Sequence, residues 1–241
     1  MSKNQLALFA AGFVLALSFT FSCSSGDDPD PSSSSWGVVH GTPVAYEGET
    51  YPTVVIGTQT WFAKNLNYAV EGSKCYDNDP ARCNEYGRLY DWSTAMALPS
   101  SCNWNSCSSQ IQSKHEGICP SGWHIPSNAD WDKLYRYVDG TSGTEGPYNS
   151  PTAGRDLKTA PGWHNNGNSS TDKHGFSALP GGHGTSDGSF AFGGVIGNWW
   201  SASEGEYDSY ASYRHMYYNY DGAGWDNDSK SRLFSVRCLQ D

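Results

Sequence analysis

Six cysteines constrain what this chain can fold into more than any other feature. The sequence holds seven, and Cys23, at the end of an apolar N-terminal run, stands apart from Cys75, Cys83, Cys102, Cys107, Cys119 and Cys238. An even set in an exported chain points to disulfides, and six cysteines allow fifteen pairings. The short spacings suggest Cys75 with Cys83 and Cys102 with Cys107, which leaves Cys119 with Cys238. In the chain-entropy account, a bond closing a loop of roughly a hundred residues stabilises by about 4 to 5 kcal/mol. Structural zinc is the competing use of such a set, although no Cys-x-x-Cys pair is present.

Export is read from the N-terminus. Lys3 precedes an apolar run from Leu6 to Phe21, shorter than the ~20 residues of a spanning helix and followed by polar sequence without a basic stop-transfer cluster. Residues 1–22 therefore read as a signal peptide, and Cys23, directly after the small Ser22, as a lipidation site. Ordinary cleavage nearby, leaving Cys23 a spare thiol, is the alternative. Residues 23–35 read as a lipidated Ser/Asp-rich tether, too polar to bury a core. Its Asp27, Asp28 and Asp30 resemble the acidic leader of surface-exposed lipoproteins of the Bacteroidota. The expected location is the cell envelope, as an outer-membrane lipoprotein facing outward. The folded domain is expected over 36–241. A net charge of −10 without any Lys/Arg cluster excludes nucleic acid as a partner and leaves the lipid anchor as the membrane contact.

Along the chain, Thr53-Val-Val-Ile and Gln59-Thr-Trp-Phe flank Gly57-Thr58, a hairpin signal. Leu89, Trp92, Ala95 and Met96 fall at helical spacing between Tyr86 and Pro99, which predicts a first helix. Ser127 and Asp130 form a capping pattern before Trp131, Leu134, Tyr135 and Val138, which predicts a second. Beyond Gly140 short apolar bursts at Phe176–Leu179, Phe190–Phe192, Asn198–Ser201, Tyr213–Tyr217 and Leu233–Cys238 read as strands between long loops. The fold class is α+β, disulfide-braced.

Four blocks stand out: Cys119-Pro-Ser-Gly-Trp-His-Ile-Pro-Ser-Asn-Ala-Asp-Trp, Gly175-Phe-Ser-Ala-Leu-Pro-Gly-Gly, Trp199-Trp-Ser-Ala-Ser and Ser235-Val-Arg-Cys-Leu-Gln-Asp. In that order they closely resemble the Fibrobacter succinogenes major paralogous domain family, over about Thr53 to Asp241. The resemblance implies an exported bacterial protein without an established activity. The element order also resembles the C-type lectin-like fold, in which two helices flank small antiparallel sheets, a long loop-rich region carries binding, and a cysteine near the first helix bonds one in the last strand. Cys119 and Cys238 sit in matching places. Enzymes that generate formylglycine share this broad superfold, but they need a reactive cysteine pair, and here all six are committed to structure.

No catalytic constellation emerges. His164, His174 and His183 lack ligand spacing, Ser177 and Ser201 lack an elbow glycine, and His124 reads as a buried structural histidine. Glu204, Glu206 and Asp208 could serve a glycosidase but read as a solvated acidic loop. The expected cofactor is none, apart from calcium on oxygen ligands at Asp226, Asn227 and Asp228, set against a plain Asn/Asp turn. Ten tryptophans and fifteen tyrosines exceed the needs of such a core. Trp104, Trp163, Tyr210, Tyr217, Tyr218, Tyr220 and Trp225 lie in polar stretches, where exposed rings suit sugars or protein interfaces. Trp225, Tyr217, Tyr218 and Tyr220 are the candidate ligand contacts. The expected function is a non-catalytic surface module binding glycan or a surface protein, with an extracytoplasmic enzyme of the formylglycine-generating type or a purely structural envelope protein as alternatives.

Overall fold

The opening hairpin forms where its turn residues direct it. In the computed structural model, which describes residues 37–141, 148–164 and 170–241, β1 (Val39–His40), β2 (Val44–Tyr46), β3 (Glu49–Tyr51), β4 (Thr53–Ile56) and β5 (Gln59–Phe62) follow one another. β4 and β5 pair antiparallel with Ile56 opposite Gln59, and Gly57 between them takes φ 62°, a left-handed conformation that glycine adopts without strain. The signal segment, Cys23 and the tether lie outside the described residues.

Helices α1 (Pro80–Tyr86) and α2 (Trp92–Ala95) come next, then β6 (Trp123–His124), α3 (Asn128–Val138) and α4 (Ala153–Leu157). Strands β7 (His183–Gly184), β8 (Phe190–Ala191), β9 (Ile196–Glu204), β10 (Tyr210–Tyr217), β11 (Ala223–Ser229) and β12 (Leu239–Gln240) complete the order. One sheet has the order β1-β4-β5-β12-β6, and a second runs β11-β10-β9. All strand pairings within these sheets are antiparallel. The fold is α+β, and the disulfides are Cys75–Cys83, Cys102–Cys107 and Cys119–Cys238.

The second expected helix forms as α3, with the Ser127 side chain on the Asp130 N–H and the Asp130 carboxylate on the Ser127 N–H. The first differs. Tyr86 to Leu98 is not one helix, because Asp79 and Pro80 start α1 upstream and Gly87, at φ 77°, ends it. A Cβ at Gly87 would stand 2.8 Å from the Leu66 carbonyl oxygen. Leu89 and Tyr90 then make bridges to Lys74 and Phe234, and Asp91 caps the single turn of α2 by accepting from the Thr94 N–H. Capping and glycine chemistry override the apolar spacing here. Phe176–Leu179 also departs from expectation, forming an irregular segment in which Asp172 accepts from the Ser177 N–H and hydroxyl.

Two tryptophan-rich cores sit on either side of the strands. Alternation along β5 sends Trp61 into one core and Phe62 into the other, and β9 splits Trp199 and Trp200 the same way. Burying each such side chain contributes about 1.5 to 3 kcal/mol. The four sequence blocks meet at one of these cores. Trp131, Trp199 and Phe176 pack as a ring cluster, and Arg237, fully buried, donates to the Phe176 and Ser177 carbonyls and to Asn65 Oδ1 at 2.8 Å. The Trp199 indole donates to the same Asn65 oxygen at 2.9 Å. Burial pushes the Arg237 guanidinium down to about 9. The blocks that make the sequence recognisable are thus the parts that hold its core together.

Candidate functional site

Of the four candidate ligand contacts, the structure brings Tyr217 and Tyr220 together. Both line a cavity of about 350 Å³ with Asn149, Ser150 and His215. Tyr217 is 38% exposed and Tyr220 59%. Tyr217 ends β10 and follows His215 on the same face of the strand, with ring centroids 5.2 Å apart. Cross-strand pairing sets His215 over Gly224, and Tyr220 lies against Gly222, where a Cβ would come within 2.4 Å of its ring.

A buried cation fixes this corner. Lys158 has no exposed surface, and its ammonium donates to the Tyr217 carbonyl at 2.8 Å and the Tyr220 carbonyl at 2.9 Å while facing the Trp163 ring at 5.2 Å. Burial lowers its pKa. His215 is pushed below its usual pKa by burial, so it is neutral at physiological pH, and its Nδ1 has no hydrogen-bond partner among the described residues. The site can offer two aromatic faces, phenolic hydroxyls and a neutral imidazole.

The other candidates go elsewhere. Tyr218 sends its ring against His164, with centroids 6.0 Å apart, and its N–H to the Val195 carbonyl. Trp225 pairs in register with Arg214, which puts it on the sheet face opposite His215 and Tyr217. Asp226, Asn227 and Asp228 are not a turn but the middle of β11, paired with β10 from Ala211 to Tyr213. Alternation therefore puts Asn227, which accepts from the Ser212 hydroxyl at 2.7 Å, on the opposite face from Asp226 and Asp228. Among the described residues no group of three or more His, Cys, Asp or Glu gathers as metal ligands would.

His164, His174 and His183 pack against different aromatic rings: Tyr218, Tyr137, and Phe192 with Phe234. His124 is buried between carboxylates, with Nδ1 2.8 Å from Asp241 and Nε2 3.6 Å from Asp130. The acidic loop is only partly solvated. Glu204 turns inward to the fully buried Lys230 at 2.6 Å and accepts from the Cys107 N–H and the Ser106 hydroxyl. Burial opposes its charge, but these donors hold its carboxyl below the usual range.

Comparison with known proteins accords with the role of the core blocks. The model of the Fibrobacter succinogenes major domain matches residues 54–240, from β4 into β12. The chain belongs to that family. The blocks of this Fibrobacter succinogenes major domain converge on Asn65, Arg237 and the tryptophan cluster, and the tyrosine cavity lies within the matched span as well. No curated protein and no solved structure matches it.

His215 and Lys158 were missed by sequence reasoning. His215 gains its place through the register of β10 with β11, and Lys158 through a contact with residues about sixty positions away. Neither leaves a local pattern.

Proposed function

We infer that this chain is a non-catalytic envelope lipoprotein, anchored through Cys23 at the outer membrane, whose C-type lectin-like domain binds glycan at the Tyr217 and Tyr220 cavity. The observation that carries the reading is the pair of exposed tyrosines held on a turn that a buried lysine has fixed in advance. Pre-organised aromatic rings lose little conformational freedom on binding. The Cys119–Cys238 bond between the segment before α3 and the residue preceding β12 supports the lectin-like reading of the fold. Three disulfides accord with an oxidising compartment, and they leave no thiol among the described residues for chemistry of the formylglycine-generating type.

The surface needs no cofactor in this reading, since strand alternation separates Asn227 from Asp226 and Asp228. A glycan array probed with the wild-type chain and with a Tyr217→Ala, Tyr220→Ala double variant tests the proposal. Binding that the double variant loses supports it. An empty array, together with capture of a surface protein from intact cells that depends on the same two tyrosines, would move the site to a protein ligand.

A further inference from the structure

A second cavity lies between the two short disulfide loops. It measures about 410 Å³, within the range of small-molecule sites of about 300 to 1,000 Å³. Asn78, from the Cys75–Cys83 loop, lines it, as do Asn103 and Trp104 from the Cys102–Cys107 loop. Lys74 and Asp91 complete the polar lining used here.

Trp104 is the anomaly. It is 62% exposed, whereas Trp61, Trp92, Trp123, Trp131, Trp199 and Trp200 are buried. Its indole makes no ring contact and no hydrogen bond among the described residues, yet the loop that carries it is held from several sides. The disulfide closes the loop, Lys230 donates to the Asn105 carbonyl at 3.2 Å, Glu204 takes the Cys107 N–H at 2.7 Å, and Asn103 Oδ1 accepts from the Ser93 N–H at 3.0 Å. A fixed support beneath a free, exposed indole is the arrangement of a stacking platform whose ordering cost is met before ligand arrives.

The chemistry around the ring selects the ligand class. Asn103 keeps Nδ2 as a donor, and Asp91, whose Oδ1 caps α2, keeps Oδ2 as an acceptor. Lys74 and Asn78 make no side-chain hydrogen bond among the described residues. The groove thus holds both donors and acceptors beside one apolar face, and one cation balances one anion on an acidic protein of net charge −10. Hydroxyls, each both donor and acceptor, fit that lining, and anions gain nothing from it. We propose that this groove is a second binding site, for a neutral saccharide stacked on the Trp104 indole. It does not depend on the tyrosine cavity binding anything.

Acrylamide quenching of tryptophan fluorescence tests this on the full chain, with neutral hexaoses of glucose, mannose and xylose in different linkages as probes and an oligogalacturonate as the charged control. At least one neutral probe should protect the exposed tryptophan saturably. Trp104→Ala should abolish the protection and weaken binding at least tenfold, about what truncating a central tryptophan contact costs. Lys74→Ala, outside the loop, should weaken it several-fold with an unchanged melting temperature, which guards against a misfolded Trp104 variant. Tyr217→Ala with Tyr220→Ala should leave the protection intact, which separates this site from the first. Failure of every neutral probe to protect, protection surviving in Trp104→Ala, or equal protection by the charged control would overturn the proposal.

Discussion

The Lys158 ammonium and the Tyr217 carbonyl oxygen stand 2.8 Å apart inside the domain, on the side of the turn away from solvent. One buried cation thus holds the backbone from which an exposed ring projects. Lys158→Met keeps the stem's volume but takes the ammonium from both carbonyls, leaving Tyr217 only the Tyr220 N–H at 3.4 Å, at a cost of about 1 to 3 kcal/mol. The expected outcome is a lower melting temperature together with weaker ligand binding, although no ligand contact has been altered. Calorimetry and a titration on the same sample check both.

Glu204 and Lys230 form the most enclosed ion pair among the described residues beside that of Arg214 with Asp132. Glu204→Gln strands a fully buried ammonium, which costs about 3 to 5 kcal/mol. It also releases the Cys107 loop from one anchor, so hydrogen exchange at residues 103–107 should accelerate. Unchanged exchange there would show that the disulfide alone orders the loop.

His124 gives the stability a pH dependence of defined sign. Burial disfavours its charge, but the carboxylates of Asp130 and Asp241 outweigh burial and raise its pKa above the ordinary value. A raised histidine stabilises fully below its unfolded pKa of about 6.5 and loses that contribution as pH rises through the folded value. The melting temperature should therefore rise as pH falls from about 8 to about 6.5, and His124→Gln should flatten that segment. Asp130, held low chiefly by His124 and Ser127 against its burial, acts in the separate acid window, where its contribution disappears as pH drops through its folded pKa.

Asn65 Oδ1 accepts from both Trp199 and Arg237. Asn65→Ala removes the main side-chain acceptor of a buried guanidinium and should cost about 3 kcal/mol or more, read as a lower denaturant midpoint. A loss under about 1 kcal/mol would mean that the Phe62 and Phe176 carbonyls suffice.

Local signals were legible in the sequence: the hairpin at Gly57, the capping box at Ser127 and the pairing of six cysteines by spacing. What escaped was written in partners far along the chain. Trp225-Asp-Asn-Asp has the composition of a turn, since Asn and Asp are poor strand formers, but a seven-residue register with β10 makes it a strand. The helix expected between Tyr86 and Leu98 shows the reverse error, in which true core positions such as Leu89 and Trp92 share a spacing but not an element. At the candidate site, exposed tyrosines could be guessed from their polar neighbours, but which two converge depended on how the turn after β10 docks.

The Cys119–Cys238 bond also decides how the domain meets mechanical load. Suppose a pull enters through the N-terminal side and is resisted by a ligand at Tyr217. Once the chain before Cys119 is taut, the force crosses the disulfide and follows the short arc from Cys238 back to Tyr217. The long arc, carrying α3 and α4, stays slack and bears none of it. Covalent bonds then set the limit of extension, and the stretch that must resist shearing is the segment from Tyr217 to Cys238, which carries β11.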